Sequence, residues 1–167
     1  IAKDVRYGGV EEDGAAQVFA YGATDVDGDD LGYTVLSQPA EGAVVDNGDG
    51  TFSFNPGSDF QDLGEGETRA VSFSFEVSDG NGGHDTATAT IIVTGTNDAP
   101  TAGILTAIDE EDKNTVTVDL LASAADLDGD TLTVIHVEEA PNGTVTDNGD
   151  GTVTYVPDPD FNGDDTF

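Results

Sequence analysis

The stretch VSFSFEVS at residues 71–78 alternates apolar and polar residues at every position, and TATATIIVTG at 86–95 does so for most of its length. Successive side chains of a β-strand point to opposite faces, so both stretches predict long strands with one buried face. The shorter stretches FSF (52–54) and YTVL (33–36) have the same period of two, and no stretch shows helical periodicity. The sequence therefore predicts an all-β fold.

The turn sequence DNGDG at 46–50 lies between two apolar strand patterns. Asn-Gly and Asp-Gly accept positive φ at low cost, so this stretch predicts a tight hairpin. Taken together, the alternating stretches and turns predict seven strands, at about 4–9, 15–21, 31–37, 42–46, 51–55, 70–78 and 86–95. Seven short strands within residues 4–95 are typical of an immunoglobulin- or cadherin-like β-sandwich.

An internal repeat divides the chain. The sequence DNGDGT occurs at 46–51 and again at 147–152, and the offset of 147 − 46 = 101 relates residues 25–60 to 126–161 without a gap. Upstream, EED at 11–13 matches EED at 110–112. Repeats of this kind indicate a tandem array. We predict two domains: a complete sandwich repeat at 1–98 and, at 99–167, the N-terminal part of a second repeat without its last two strands.

The composition excludes several classes of function. The chain has 35 acidic and 4 basic residues among 167, a formal net charge of −31. Nucleic acids and anionic membrane surfaces are excluded as partners because both require clustered Lys and Arg. There is no Cys, so disulfides and thiolate–metal sites are excluded. No apolar run approaches the roughly 20 residues that a transmembrane helix needs, so membrane insertion is not expected.

The acidic residues concentrate in loops. In a sandwich of this topology, alternate loops lie at the same end of the domain. The loops DVDGDD (25–30), DNGDG (46–50) and SDGNGGHD (78–85) therefore share one end, and EED (11–13) lies at the other. Clustering at the two ends, rather than an even coating of the surface, predicts cation sites.

The segment between the two repeats sharpens this prediction. If the repeats join end to end, residues of the first approach residues of the second: Glu11, Glu12 and Asp98 approach Asp126, Asp128 and Asp130. Two carboxylates 4 Å apart repel by about 4 kcal/mol at an effective dielectric constant of about 20, so such a cluster needs a counter-ion. An all-oxygen ligand set without His or Cys favours Ca²⁺ over Zn²⁺ or Cu²⁺.

The stretches EED, ATDVDGD, VSDGNGG and TNDAP together resemble the cadherin-like, VCBS-type tandem repeats of large bacterial RTX-type surface adhesins. This resemblance implies Ca²⁺-rigidified rods that are secreted by the type I pathway and serve as spacers in adhesion and biofilm formation. It also implies two ligand sets. The junction set is Glu12, Asp98, Asp126 and Asp128 with the backbone carbonyl of Asn97, and the set facing a preceding domain is Asp25, Asp27 and Asp79.

We therefore expect a non-enzymatic, Ca²⁺-binding extender module at the bacterial cell surface, with adjacent repeats of the same polypeptide as partners. His84 and His136 have no partner His, and the absence of Trp removes the usual aromatic platform for a sugar substrate. Two alternatives remain open. One is a ligand- or carbohydrate-binding module, and the other is a split domain that is completed by a strand-donating peptide or second chain.

Overall fold

The computed structural model describes residues 1–108 and 115–167, which form two compact units, Ile1–Asp98 (unit 1) and Ala99–Phe167 (unit 2). The described residues contain twelve strands and a single four-residue 3₁₀ helix, which confirms the all-β prediction. None of their helices is long and apolar enough to cross a membrane. The second EED stretch, at 110–112, lies outside the described residues.

Unit 1 is a sandwich of two sheets. Its seven strands are β1 Val5–Glu11, β2 Gln17–Ala20, β3 Gly32–Val35, β4 Ala43–Asp46, β5 Thr51–Asn55, β6 Thr68–Ser78 and β7 His84–Thr94. One sheet has the order β1-β7-β6-β3 and the other the order β2-β5-β4. Strand β1 is parallel to β7, and the remaining pairs are antiparallel. Each of the seven predicted strands overlaps an observed one, and the predicted sandwich is confirmed.

The core of unit 1 lies between the two sheets and is rich in phenylalanine. Phe52 and Phe54 of β5 face Phe73 and Phe75 of β6, and all four side chains are buried. The ring centroids of Phe52 and Phe73 are 4.8 Å apart in an edge-to-face arrangement, which aromatic rings favour. The apolar positions of the alternating stretches are therefore the same positions that form the core.

A bulge in β1 sets the direction of the chain at the end of the strand. The register of β1 against β7 shifts between Tyr7 and Val10, and Gly9, which lies within the shift, has a positive φ of 80°. After the shift, Val10 is buried and Glu11 pairs with Thr94 near the end of β7. The bulge thereby brings the EED stretch next to the segment that follows β7.

Unit 2 repeats part of this arrangement. Its elements are β8 Thr101–Ala102, β9 Val116–Asp119, the 3₁₀ helix Leu120–Ser123, β10 Ala124–Ala125, β11 Gly143–Asp147 and β12 Thr152–Pro157. The antiparallel sheet β11-β12-β9 corresponds to β4-β5-β2 of unit 1, and β10 pairs with β8 in a second, two-stranded sheet. Both units close the corresponding hairpin with DNGDG.

Strand β3 of unit 1 has no equivalent strand in the described residues of unit 2. The repeat offset aligns β3 with residues 133–136, which are not in a strand. In unit 1, β3 is an edge strand whose hydrogen-bonded neighbour is β6, and the described residues of unit 2 contain no strand in the position of β6. An extended segment becomes a strand only when another backbone satisfies its N–H and C=O groups. Ile135 is 93% exposed in this segment.

Candidate cation-binding site

Glu12 is the single buried charged side chain among the described residues, with 0% exposure. It follows β1 directly, and its backbone N–H donates to the carbonyl oxygen of Thr94, which extends the β1–β7 pairing. Its Oε1 accepts a hydrogen bond from the backbone N–H of Thr96 at 2.7 Å. Its Oε2 is buried and has no hydrogen-bond partner among the described residues. Burying a charge without a partner is costly, so this oxygen fits a site for a bound cation.

The neighbouring acids of the EED stretch have different surroundings. Glu11 is exposed at the end of β1. Both oxygens of Asp13 accept hydrogen bonds, Oδ1 from Nε2 of Gln61 at 3.0 Å and Oδ2 from Oγ1 of Thr96 at 3.2 Å. Of these three consecutive carboxylates, Glu12 is the one that combines full burial with an oxygen that accepts no hydrogen bond from the described residues.

The TNDAP segment is anchored at its start. The N–H of Gly95 donates to the carbonyl oxygen of Glu67 at 2.8 Å, and the N–H of Gly66 donates to the carbonyl oxygen of Gly95 at 3.0 Å. Asn97 is exposed, and its side-chain amide donates to the carbonyl oxygen of Asp98 at 2.7 Å. Asp98 itself is half-buried.

In unit 2, the loop after β10 gathers three carboxylates. One oxygen of each of Asp126, Asp128 and Asp130 lies within 4.8 Å of the others. Oδ1 of Asp126 accepts the N–H groups of Asp128 and Asp130, both at 3.1 Å, which closes the loop around it. Three like charges at this spacing repel one another, and a divalent cation would neutralise the repulsion. Oxygen ligands from carboxylates are those that Ca²⁺ prefers.

The corresponding loop of unit 1 is closed in the same way. Oδ1 of Asp25 accepts the N–H groups of Asp27 at 2.8 Å, Gly28 at 2.9 Å and Asp29 at 3.2 Å. These hydrogen bonds, first among them the one from Asp29, lower the pKa of Asp25 because they favour its charged form.

Asp79, in the loop between β6 and β7, is also held by backbone groups. Its Oδ1 accepts the N–H of Asn81 at 2.7 Å and that of Gly83 at 2.9 Å, and the pKa of Asp79 is lowered as a result. The side-chain amide of Asn81 donates to Oδ2 of Asp29 at 2.8 Å and links the two loops.

The structure places the ten predicted ligands in three groups. Asp126, Asp128 and Asp130 form a cluster within unit 2, whereas Glu11, Glu12, Asn97 and Asp98 lie at the ends of β1 and β7 in unit 1. Asp25, Asp27 and Asp79 lie in linked loops but do not form a cluster of three oxygens within 4.8 Å among the described residues. The assignment of all ten residues as ligands stays a prediction. Sequence patterns do not indicate a role for Thr96, Asp13 and Gln61, because their hydrogen bonds to one another join distant parts of the chain.

The two sheets of unit 1 define a β-sandwich, and the internal sequence repeat shows that part of the same pattern recurs in unit 2. The family model of the cadherin-like domain matches residues 5–94 and 96–167, so the chain belongs to the cadherin-like domain family. Domains of this family are typically adhesion-related rather than enzymatic, and they typically bind Ca²⁺. The cadherin-like part of the resemblance seen in the sequence is confirmed.

Several solved structures are similar to the chain at low identity. The Drosophila N-cadherin EC1-4 structure is 16% identical over 93% of this chain and 41% of that one, with a TM-score of 0.46. The human desmocollin-1 ectodomain is 15% identical over 95% of this chain and 30% of that one, with a TM-score of 0.46. The endo-fucoidan hydrolase MfFcnA4 is 20% identical over 95% of this chain and 24% of that one, with a TM-score of 0.43.

This chain spans less than half the length of each of these three proteins. At TM-scores below 0.5 the likeness carries no argument about function. None of the curated proteins compared with the chain matches it.

Proposed function

We propose that this chain is a Ca²⁺-binding, rod-forming extender module of a bacterial cell-surface adhesin, acting outside the cell in adhesion and biofilm formation. The observation that carries the proposal is Glu12, whose Oε2 is buried without a hydrogen-bond partner among the described residues. Membership of the cadherin-like family supplies the adhesion-related class. The bacterial, VCBS-type part rests on the resemblance of the sequence motifs.

The residues fit a hard divalent cation. Glu12 and Asp98 would hold it from unit 1, with Glu11 and the carbonyl of Asn97 nearby in sequence. The cluster of Asp126, Asp128 and Asp130 would hold it from unit 2. The prediction that both sets serve the same ions rests on the sequence. A shared ion would remove the repulsion between the carboxylates and stiffen the connection between repeats.

The expected affinity suits an extracellular role. Extracellular modules bind Ca²⁺ with dissociation constants of about 10⁻⁴–10⁻³ M. Such sites are filled at millimolar Ca²⁺ and empty at the low Ca²⁺ concentration of a cytosol. The extender would therefore become stiff only after export.

Thermal unfolding in EDTA and in millimolar Ca²⁺ tests this proposal. Ca²⁺ at ten times its dissociation constant stabilises the folded state by RT ln 11, about 1.4 kcal/mol. For a domain of this size we expect Tm to rise by about 5 °C or more. Mg²⁺ should have a smaller effect, because it requires shorter bonds and a stricter octahedral geometry.

The Glu12→Gln variant tests whether the Ca²⁺-dependent rise in Tm depends on the Glu12 carboxylate. The change removes a charge and keeps the shape, so the variant should match or exceed the wild type in EDTA and lose most of the Ca²⁺-dependent rise in Tm. Glu65→Gln is the matched control, since Glu65 is exposed and its carboxylate accepts no hydrogen bond from the described residues. An equal Ca²⁺-dependent rise in Glu12→Gln and in the wild type would contradict the assignment.

A second candidate function is favoured by residues 133–136, which align with β3 and yet are not in a strand. We propose that this segment of unit 2 accepts a hairpin with the pattern of β6 and β7. In unit 1, β3 pairs antiparallel with β6, with Gly32 opposite Ser78 and Val35 opposite Phe75. The same register is expected between residues 133–136 and the added hairpin. Adding a strand to an unpaired segment in this way satisfies its backbone groups.

A peptide of residues 68–95, added to the full chain, tests this second candidate. Hydrogen exchange at the amides of 133–136 should slow by about tenfold or more as the peptide concentration rises, because pairing protects backbone N–H groups. A peptide of the same composition in scrambled order is the control. Unchanged exchange at saturating peptide would rule out the hairpin-accepting role and leave the Ca²⁺ proposal intact.

A further inference from the structure

We infer that Thr96 is a positioning residue for cation binding by Glu12, and that it works together with Asp13 and Gln61. This inference rests on the proposed function, because it concerns how the Glu12 carboxylate is presented to Ca²⁺. The three residues lie in unit 1, on segments that are far apart in the sequence.

Thr96 holds one oxygen of Glu12 and leaves the other unengaged. Its backbone N–H lies 2.7 Å from Oε1, and its Oγ1 lies 3.3 Å from the same oxygen. The backbone N–H fixes the orientation of the carboxylate, and the hydroxyl, which has a single proton, is shared between this oxygen and Asp13. Oε2 is buried and has no hydrogen-bond partner among the described residues, so it is the oxygen available to a cation.

The hydroxyl of Thr96 lies between two carboxylates. It is 3.3 Å from Oε1 of Glu12 and 3.2 Å from Oδ2 of Asp13, and Oδ1 of Asp13 accepts from Gln61 at 3.0 Å. The single hydroxyl proton is shared between the two carboxylates, so each oxygen of Asp13 has a donor within reach, whereas Oε2 of Glu12 has none among the described residues. Hydrogen bonding, rather than charge, distinguishes the proposed ligand from its equally acidic neighbour.

Thr96 is itself held in place before an ion arrives. The preceding residue, Gly95, is buried, and both its N–H and its carbonyl oxygen form backbone hydrogen bonds with the 66–67 turn. The carboxylate of Glu12 is thus oriented in advance, which lowers the entropic cost of binding. Partners that orient a metal ligand in this way are typically worth about 10–100-fold in metal affinity.

Calorimetric titration of the full chain with Ca²⁺ tests the inference. Thr96→Val keeps the branched shape and the backbone N–H but removes the hydroxyl, so we expect Ca²⁺ affinity at the Glu12 site to fall by about tenfold. Thr96→Ser restores a hydroxyl and should bind within about twofold of the wild type. Thr88→Val, on β7, is the matched control, since the hydroxyl of Thr88 forms no hydrogen bond among the described residues.

A metal-free measurement separates positioning from loss of folding. The unfolding midpoint in EDTA should differ little between Thr96→Val and Thr88→Val if the hydroxyl acts mainly on the ligand. If Thr96→Val does not fold, Gln61→Leu tests the same hydrogen-bonded chain, and we expect it to lower the affinity by about threefold. Gln61→Leu removes the donor that holds Asp13, and Asp13 contacts the Thr96 hydroxyl, so the effect on Glu12 is indirect and smaller.

The outcomes distinguish the two proposals. Wild-type affinity in Thr96→Val, with binding lost in Glu12→Gln, would overturn the positioning role and leave the proposed function standing. A wild type that binds no Ca²⁺ would overturn the proposed function and this inference together. Weaker binding in Thr96→Val that Thr96→Ser restores would support both.

Discussion

Replacing Phe52 by Ala should destabilise unit 1 by about 3–5 kcal/mol, the range found when a fully buried aromatic side chain is removed from a core. The Phe52 ring is completely buried and lies 4.8–5.9 Å, between ring centroids, from the rings of Tyr7, Phe19, Tyr21 and Phe73. These rings belong to both sheets, so the cavity would open where the two layers meet. A domain of this size has a total stability of about 5–15 kcal/mol, of which this loss is a large part.

Hydrogen exchange of the β5 and β6 amides in the full chain measures this loss specifically in unit 1. Val18→Ala is the matched control, because Val18 is 63% exposed on the neighbouring strand β2. We expect the control to stay within about 0.5 kcal/mol of the wild type. A loss below about 1 kcal/mol for Phe52→Ala would mean that the two sheets do not pack through this ring.

The Gly95→Ala variant should lose about 3 kcal/mol of stability, at the upper end of the usual cost of overpacking. A methyl group at residue 95 would lie 2.7 Å from the carbonyl carbon of Leu63 and inside van der Waals contact of the carbonyl oxygens of Leu63 and Gly64. These are backbone atoms, which cannot rotate out of the way as a side chain can. The strain would also disturb the hydrogen bonds of Gly95 with Glu67 and Gly66.

Denaturant unfolding of the full chain, read by tyrosine fluorescence, measures the effect of Gly95→Ala. Gly64→Ala is the matched control on the loop that Gly95 contacts, since a methyl group there would meet only the side chain of Glu67, at 4.0 Å. Because Gly95 precedes Thr96, the Gly95 variant should also bind Ca²⁺ more weakly than the control. Equal midpoints for the two variants would show that the 63–64 turn moves away at little cost.

The local pattern of the sequence predicts the strands of unit 1 because successive side chains of a strand point to opposite faces of the sheet. In VSFSFEVS the Val and Phe side chains point to one face and the Ser and Glu side chains to the other, so one face must be covered. The structure covers it with Phe52 and Phe54. The hairpins are equally local, since Asn-Gly and Asp-Gly accept the positive φ that the turn requires.

Pattern alone does not decide whether a segment becomes a strand. Residues 133–136 align with β3, yet β3 is paired with β6 and residues 133–136 are not in a strand. The difference arises because a strand needs a neighbouring backbone, and that neighbour lies far away in the sequence. The local alternation of apolar and polar residues does not show whether such a neighbouring strand is present.

The all-β class, the repeat and the concentration of acids in particular loops can be read from the chain, because each depends on residues close in sequence. Which acid of EED is buried, and which residue holds it, depends on how distant segments pack. Glu12 and Thr96 are 84 positions apart and meet because β1 and β7 pair in parallel at their ends. Burial, and with it the cost of an unpartnered charge, depends on packing between such distant segments, whereas the sequence shows three equivalent carboxylates in a row.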